Sequence, residues 1–231
     1  MKYSLTLLLL LPAMLYSQIK ESTLSKKVVK TQYPLLEKAF AEKGLAFGNP
    51  VFIRIFKEDE ELEIWVKNNN TYELFKKYTI CYFSGGLGPK KKQGDCKSPE
   101  GFYTVKPKHL NPYSTFHLSF DTGYPNEFDR ANGYTGSALM VHGSCVSIGC
   151  YAMTDERIEE IYSIVQKAFE KGQTQISLHI FPFRMTESKM QKHKDSEYFA
   201  FWQNLKEGYD YFEKNNLPPS VSVSNKKYVI K

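Results

Sequence analysis

From Val51 onward the apolar residues recur at every second position, and a period of two commits this part of the chain to β-strand. Val51, Ile53 and Ile55 alternate with Phe52, Arg54 and Phe56, and Leu62, Ile64 and Val66 alternate with charged residues and Trp65. Asn68-Asn69-Asn70 is a turn signal before the next run, Tyr72 to Ile80. The pattern predicts an antiparallel meander with Tyr78 to Phe83 as its last strand.

Beyond the meander the pattern loosens. Residues 84–101 and 107–136 are rich in Gly, Pro, Asn, Lys and Tyr, with a strand expected between them over Gly101 to Val105. Loops of this length in a compact domain are more often functional than idle. Ser137 to His142 reads as an apolar strand. Thr154 stands where a helix N-cap belongs, followed by Asp155 and Glu156, with Ile158, Ile161, Ile164 and Val165 as the buried stripe and Gly172 at the end. Gln175 to Phe183 alternates again as a strand.

The two ends read as helical. Val28, Val29, Leu35, Leu36, Ala39 and Phe40 recur at helical spacing with Pro34 interrupting, so one or two helices are expected over residues 18–48. In the tail, residues 187–231, Phe199, Trp202, Leu205, Tyr209 and Phe212 make the packing face of one or two more. A mainly β, α+β catalytic domain over residues 49–186 with helical additions at both ends is the expected organisation. A chain of 231 residues is enough for one such domain.

Lys2 followed by an apolar run from Leu5 to Leu15 is too short to span a bilayer but suits the core of a signal peptide. Residues 1–17 are expected to be removed on export, near the small residue Ser17, with no membrane span afterwards. The net charge of +6 fits an anionic surface, and no nucleic-acid module is present in the pattern. An aromatic share of 15 % predicts either thick aromatic packing or an aromatic-lined groove. Four cysteines in an exported chain invite two disulfides. If Cys150 is to remain free, at most one bridge fits, with Cys81 and Cys96 as the expected pair.

The run His142-Gly143-Ser144-Cys145-Val146-Ser147-Ile148-Gly149-Cys150 concentrates the reactive groups. At its reference pKa a thiol is only about 3 % thiolate at neutral pH, and a neighbouring imidazole can take its proton and hold the anion. The same imidazolium can protonate a departing amine. Gly149 allows a tight turn and leaves backbone N–H groups open to an oxyanion. From residue types alone three readings stand: a catalytic Cys150–His142 pair, a buried thiol beside a satisfied core histidine, or a metal site made of His142, Cys145 and Cys150. Arg130 and Arg184 could bind substrate carboxylates or close structural salt bridges. His109 and His117 are expected on the surface, and Lys90 to Lys92 in a solvated loop.

Ser147-x-Gly149-Cys150 preceded by His142-Gly143 resembles the signature of the YkuD-type L,D-transpeptidase catalytic domain. Gly94-Asp95 and Ser98-Pro99-Glu100-Gly101-Phe102-Tyr103 are similar to that family's entry to the active-site sheet. Leu118-Ser119-Phe120, Gly123-Tyr124-Pro125-Asn126, Ser147 to Asp155, Phe181 to Thr186 and Phe201 to Tyr209 are similar to its YafK-like branch. The likeness covers roughly residues 35–215.

The resemblance implies a mainly β, sandwich-like antiparallel core in the cell envelope, acting without a cofactor or metal on peptidoglycan stem peptides. Cys150 would be the nucleophile and His142 the base and acid. Gly143 would orient the imidazole, and Ser147, Gly149 and Tyr151 would line the thiol's pocket or oxyanion site. The wider family has His where Ile148 stands, which leaves the thioester open to an amine or to water. Within the branch, a peptidoglycan-linked envelope protein is a further expected partner.

Overall fold

The computed structural model describes residues 19–231; the expected signal peptide lies outside them. No helix among the described residues is long and apolar enough to cross a membrane.

The chain enters through α1 (Thr23–Glu42), a single continuous helix. Pro34 sits inside it rather than dividing it. An interior proline removes one hydrogen bond and costs a free helix about 3 kcal/mol. Here Pro34 faces solvent, so water can serve the carbonyl left unpaired, while Val28, Leu36 and Phe40 anchor both halves in the core.

The meander follows as β1 (Val51–Phe56), β2 (Glu61–Asn68) and β3 (Thr71–Thr79), paired antiparallel in sequence order. The expected last strand is cut short. At Ile80 and Cys81 the chain leaves the first sheet for the second: Ile80 N–H still donates to the Glu60 carbonyl in the turn just before β2, and Cys81 N–H donates to Ala152 in the second. β4 (Tyr82–Phe83) therefore belongs to the other sheet. Next come β5 (Gly101–Val105), β6 (Leu110–Asn111), β7 (Ser119–Asp121), α2 (Glu127–Ala131), β8 (Met140–His142) and β9 (Tyr151–Ala152). Then follow α3 (Asp155–Glu170), β10 (Ile176–Phe181), α4 (Glu187–Lys192) and α5 (Phe199–Asn215). The chain closes with a hairpin, β11 (Val221–Ser224) and β12 (Lys227–Ile230), where only helix and tail were expected.

One five-stranded sheet runs β3-β2-β1-β10-β5 and the other β4-β9-β8-β7-β6. The core is mainly β, as expected, but the sheets are mixed: β1 pairs parallel with β10, and β8 parallel with β9. Val51, Ile53 and Ile55 pack with Phe120, Val141 and Tyr151 of the second sheet and with α1 and α3 in one cluster. The other face of the first sheet, through Phe56, Phe102 and Phe181, packs against Trp202, Leu205 and Tyr209 of α5 and Tyr228 of the hairpin. Covering on both faces explains why every residue of β1 is buried. Each large α5 side chain taken out of water stabilises by about 1.5–3 kcal/mol. The aromatic share thus goes chiefly into packing, as in the stacked Phe128–Tyr228 and Phe56–Phe181 pairs.

Two long loops are pinned by charge. Lys57 and Glu100, both fully buried, meet at 2.9 Å, and Glu100 also accepts from Gly88 N–H and from Trp202 Nε1. Lys90, expected in solvent, is instead buried against Asp95 at 2.6 Å. Asp95 also accepts N–H groups from Lys91, Lys92 and Lys97, and these partners hold its carboxyl at about 2 despite the opposing effect of burial. Arg184 pairs with Glu61 and Glu63, and Arg130 donates to the Pro125 carbonyl, so both make structural contacts.

Candidate active site

The site grows from the alternation of the second sheet. Phe120, Val141 and Tyr151 are register partners across β7, β8 and β9, and all three are fully buried in the core. Side chains one position along point to the opposite, outer face. That face carries two rows. One is Ser119–His142–Ala152. The other is Asp121–Met140, continued to Cys150, which immediately precedes β9 and whose Sγ accepts the Met140 N–H at 3.3 Å. The imidazole and the thiol thus sit diagonally on one face of neighbouring strands, with no hydrogen bond joining them among the described residues.

His142 is held from two sides. Its Nδ1 meets the Gly143 carbonyl at 2.5 Å, and Phe116 stacks on the ring at 4.7 Å. A carbonyl only accepts, so Nδ1 carries the hydrogen and Nε2 presents its lone pair. Gly143 has no room for a side chain: an added Cβ would lie 2.6 Å from Asp155 Oδ1 and 2.9 Å from the Phe116 carbonyl. Burial pushes the His142 pKa down, opposed by the hydrogen bond to Gly143. Burial also pushes the Cys150 thiol up, opposed by the Met140 N–H, with Asp121 pushing it further up. Both directions favour the neutral forms, because burial opposes charge on each group and no hydrogen bond joins the two.

The loop between His142 and Cys150 is fixed at several points. Ser144 N–H donates to Asp155, and Thr154 N–H donates back to the Ser144 carbonyl. Thr154 is the residue before α3 but makes no side-chain cap, having a φ of 75°. Cys145 is bonded to Cys81, not free to pack, and Cys96 is a free exposed thiol. The expected Cys81–Cys96 bridge is overturned because the switch between sheets carries Cys81 beside the reactive loop. A metal site that includes Cys145 falls with it. Ser147 Oγ and Ser98 Oγ both donate to the Cys150 carbonyl, at 2.8 and 2.9 Å.

Two expected pocket residues are placed otherwise. Gly149, at a φ of 105°, supplies the tight turn, but its N–H is taken by Ser84 Oγ at 2.6 Å and is closed to an oxyanion. Tyr151 points into the core, its hydroxyl bonded to the Pro99 carbonyl. His117 is half-buried against Glu159 at 2.8 Å, bracing the Phe116 loop to α3.

Residue patterns did not single out Ser84, Ser119 or Asp121. Ser119 is buried opposite His142, and its hydroxyl has no hydrogen-bond partner among the described residues. Only cross-strand register brings it there.

Residues 50–179 match the family described as YkuD, L,D-transpeptidase catalytic domain. The chain is 46 % identical over 223 residues to the Escherichia coli K12 protein named "Putative L,D-transpeptidase YafK", covering 96 % of this chain and 87 % of that one. It resembles the crystal structure of the helical cell shape determining protein Pgp2 from Campylobacter jejuni, with a TM-score of 0.46 and 17 % identity over 82 % of this chain and 80 % of that one. Bd1075 of Bdellovibrio bacteriovorus is similar at a TM-score of 0.42 and 21 % identity, over 77 % of this chain and 78 % of that one. On the sequence match across the paired sheets and the loop that ends at Cys150, the chain belongs to the YkuD L,D-transpeptidase catalytic domain family.

Proposed function

We propose that this protein is an exported cysteine enzyme of the cell envelope that cleaves the L,D amide bond of peptidoglycan stem peptides through a thioester on Cys150. The observation that carries the reading is the shared outer face: the thiol and an imidazole with its Nε2 lone pair free stand on adjoining strands. As Cys150 Sγ attacks the carbonyl carbon, His142 Nε2 takes the thiol proton, and the carbonyl oxygen becomes an oxyanion. The Cys150 N–H, which donates to no oxygen among the described residues, is the donor available to it. Collapse breaks the C–N bond, the imidazolium gives its proton to the departing amine, and the acyl group stays on sulfur. An incoming amine then displaces the thiolate to form a new amide, which is transpeptidation, or water does so, which is hydrolysis.

Neutral resting partners suit this order. The charge pair forms only once substrate covers the face, and an unprotonated imidazole is ready to act as base near neutral pH. Hydrolysis that frees a peptidoglycan-linked protein is the second reading. It is favoured by the apolar residues exposed on the reactive loop, Val146 and Ile148 at 56 % and 81 %, which offer a surface to a polypeptide.

The test is incubation of the mature protein with muropeptides, with and without a D-amino-acid acceptor, read by mass spectrometry. An acyl adduct on the intact protein, lost in Cys150→Ala, is expected, with exchange products marking transfer and a shortened peptide marking hydrolysis. Unchanged turnover in Cys150→Ala would sink the proposal.

A further inference from the structure

Cys150 is anchored on both sides but not at its own N–H. Before it, Gly149 N–H donates to Ser84 Oγ at 2.6 Å. After it, the Cys150 carbonyl accepts from Ser98 Oγ at 2.9 Å and from Ser147 Oγ at 2.8 Å. The peptide unit between these anchors carries the Cys150 N–H, which has no acceptor among the described residues.

Register brings Ser84 to this place. Tyr82 pairs with Ala152 and Phe83 with Tyr151, so Ser84, the residue after β4, comes level with Cys150, the residue before β9. Its one hydroxyl hydrogen goes to the Cys96 carbonyl at 2.7 Å, which leaves the oxygen's lone pairs for Gly149. Ser84 is also tied to Ser98 in both directions. Ser84 N–H donates to Ser98 Oγ at 3.2 Å, and Ser98 N–H donates to the Ser84 carbonyl at 3.0 Å. The two serines form one block, and separate bonds from it reach either side of Cys150.

The conformation at Gly149 shows what such a block is for. A φ of 105° is open to glycine, but glycine is held there by no side chain and can take many other conformations. Without its bond to Ser84, Gly149 would let the next peptide unit turn, and the Cys150 N–H with it.

We propose that Ser84 is a positioning residue that aims the Cys150 N–H at the developing oxyanion, acting through Gly149. The inference rests on the thioester reading above. Ser84 has no hydrogen bond to the thiol or to the imidazole among the described residues. Its loss therefore acts on a step in which a carbonyl oxygen gains charge, and not on a reaction at sulfur that makes no oxyanion.

The test compares two reagents at Cys150, resolved from the free Cys96 by peptide mass spectrometry. With 4-nitrophenyl acetate, sulfur bonds to the acetyl carbon and the C–O bond breaks. 4-Nitrophenolate leaves with the electron pair, and His142 takes the thiol proton. Iodoacetamide alkylates the same sulfur by displacing iodide, with no oxyanion. Ser84→Ala is expected to slow acylation about 10- to 100-fold and to change alkylation less than about twofold. Ser84→Thr, which keeps the hydroxyl, should recover most of the acylation rate. Equal slowing of both reactions would make Ser84 a structural contact only, and unchanged acylation would remove it from the step. Either result overturns the inference and leaves the thioester reading standing. A wild-type protein that is not acylated at Cys150 overturns both.

Discussion

Replacing Lys57 by Met tests whether a buried ion pair holds the reactive loop. Lys57 Nζ donates to Glu100 Oε1 at 2.9 Å, to the Ser98 carbonyl at 3.1 Å and to the Gly88 carbonyl at 3.2 Å. Both charged side chains are wholly excluded from solvent. Methionine fills much of the lysine volume, so the main loss is charge and hydrogen bonding. Breaking such a pair from one side leaves a buried carboxylate with only two neutral donors, Gly88 N–H and Trp202 Nε1, and costs about 3–5 kcal/mol. Glu100→Gln leaves the ammonium stranded at a similar cost. With both changed no buried charge remains, so the double variant should lose about 2–3 kcal/mol less than the sum of the singles. Urea unfolding of the four proteins at pH 7.5 measures the cycle. The same lysine holds the Ser98 backbone, and Ser98 Oγ holds the Cys150 carbonyl, so alkylation of Cys150 by iodoacetamide should change in Lys57→Met before global unfolding. A single-variant loss below about 1 kcal/mol with additive energies would refute the reasoning, because it would mean water reaches the pair.

Changing both Cys81 and Cys145 to Ser removes a cross-link spanning 64 residues, for which loop-closure entropy gives about 4 kcal/mol at 25 °C. Chemical denaturation should show that loss, and limited proteolysis should find new cleavage within residues 143–149. Burial without a matching cation holds the Asp129 carboxyl up at about 6 in the folded protein, against 3.8 ordinarily. The folded state binds that proton more tightly, so the group's contribution to stability is greatest below about pH 4 and declines as pH rises through 6. Asp129→Asn should therefore raise stability at pH 8 by about 1–3 kcal/mol and flatten the dependence between pH 4 and 6, as followed by thermal melts.

Strands of the first sheet and the α3 stripe were legible because one face of each is apolar at a regular period. Cys150 and His142 were legible as candidates because they bracket a dense local motif. The hairpin at the end carried a signal that the helical reading passed over: alternating Val221 and Val223, then Asn225 and Lys226, both at positive φ, then Tyr228 and Ile230. Other features are not local at all. The partner of Cys81 depends on where the chain changes sheets, and Pro34 is tolerated because packing on either side outweighs a missing hydrogen bond. Ser119 and Asp121 acquire meaning only through pairing with β8, which no spacing within residues 118–123 encodes. Lys90 looks solvated beside Lys91 and Lys92 until Asp95 folds back onto it.

The parallel pairing of β8 with β9 decides which side of the sheet the thiol meets. Val141 opposes Tyr151, so Cys150, one residue earlier, falls beside Met140 and faces outward with it. A slip of that pairing by one residue would bring tyrosine outward and turn the sulfur into the core. Ile148, exposed at 81 %, can change in identity at little structural cost, because it takes no part in that pairing. The placement of the Cys150 thiol is guarded by strand register more strictly than by the composition of the loop.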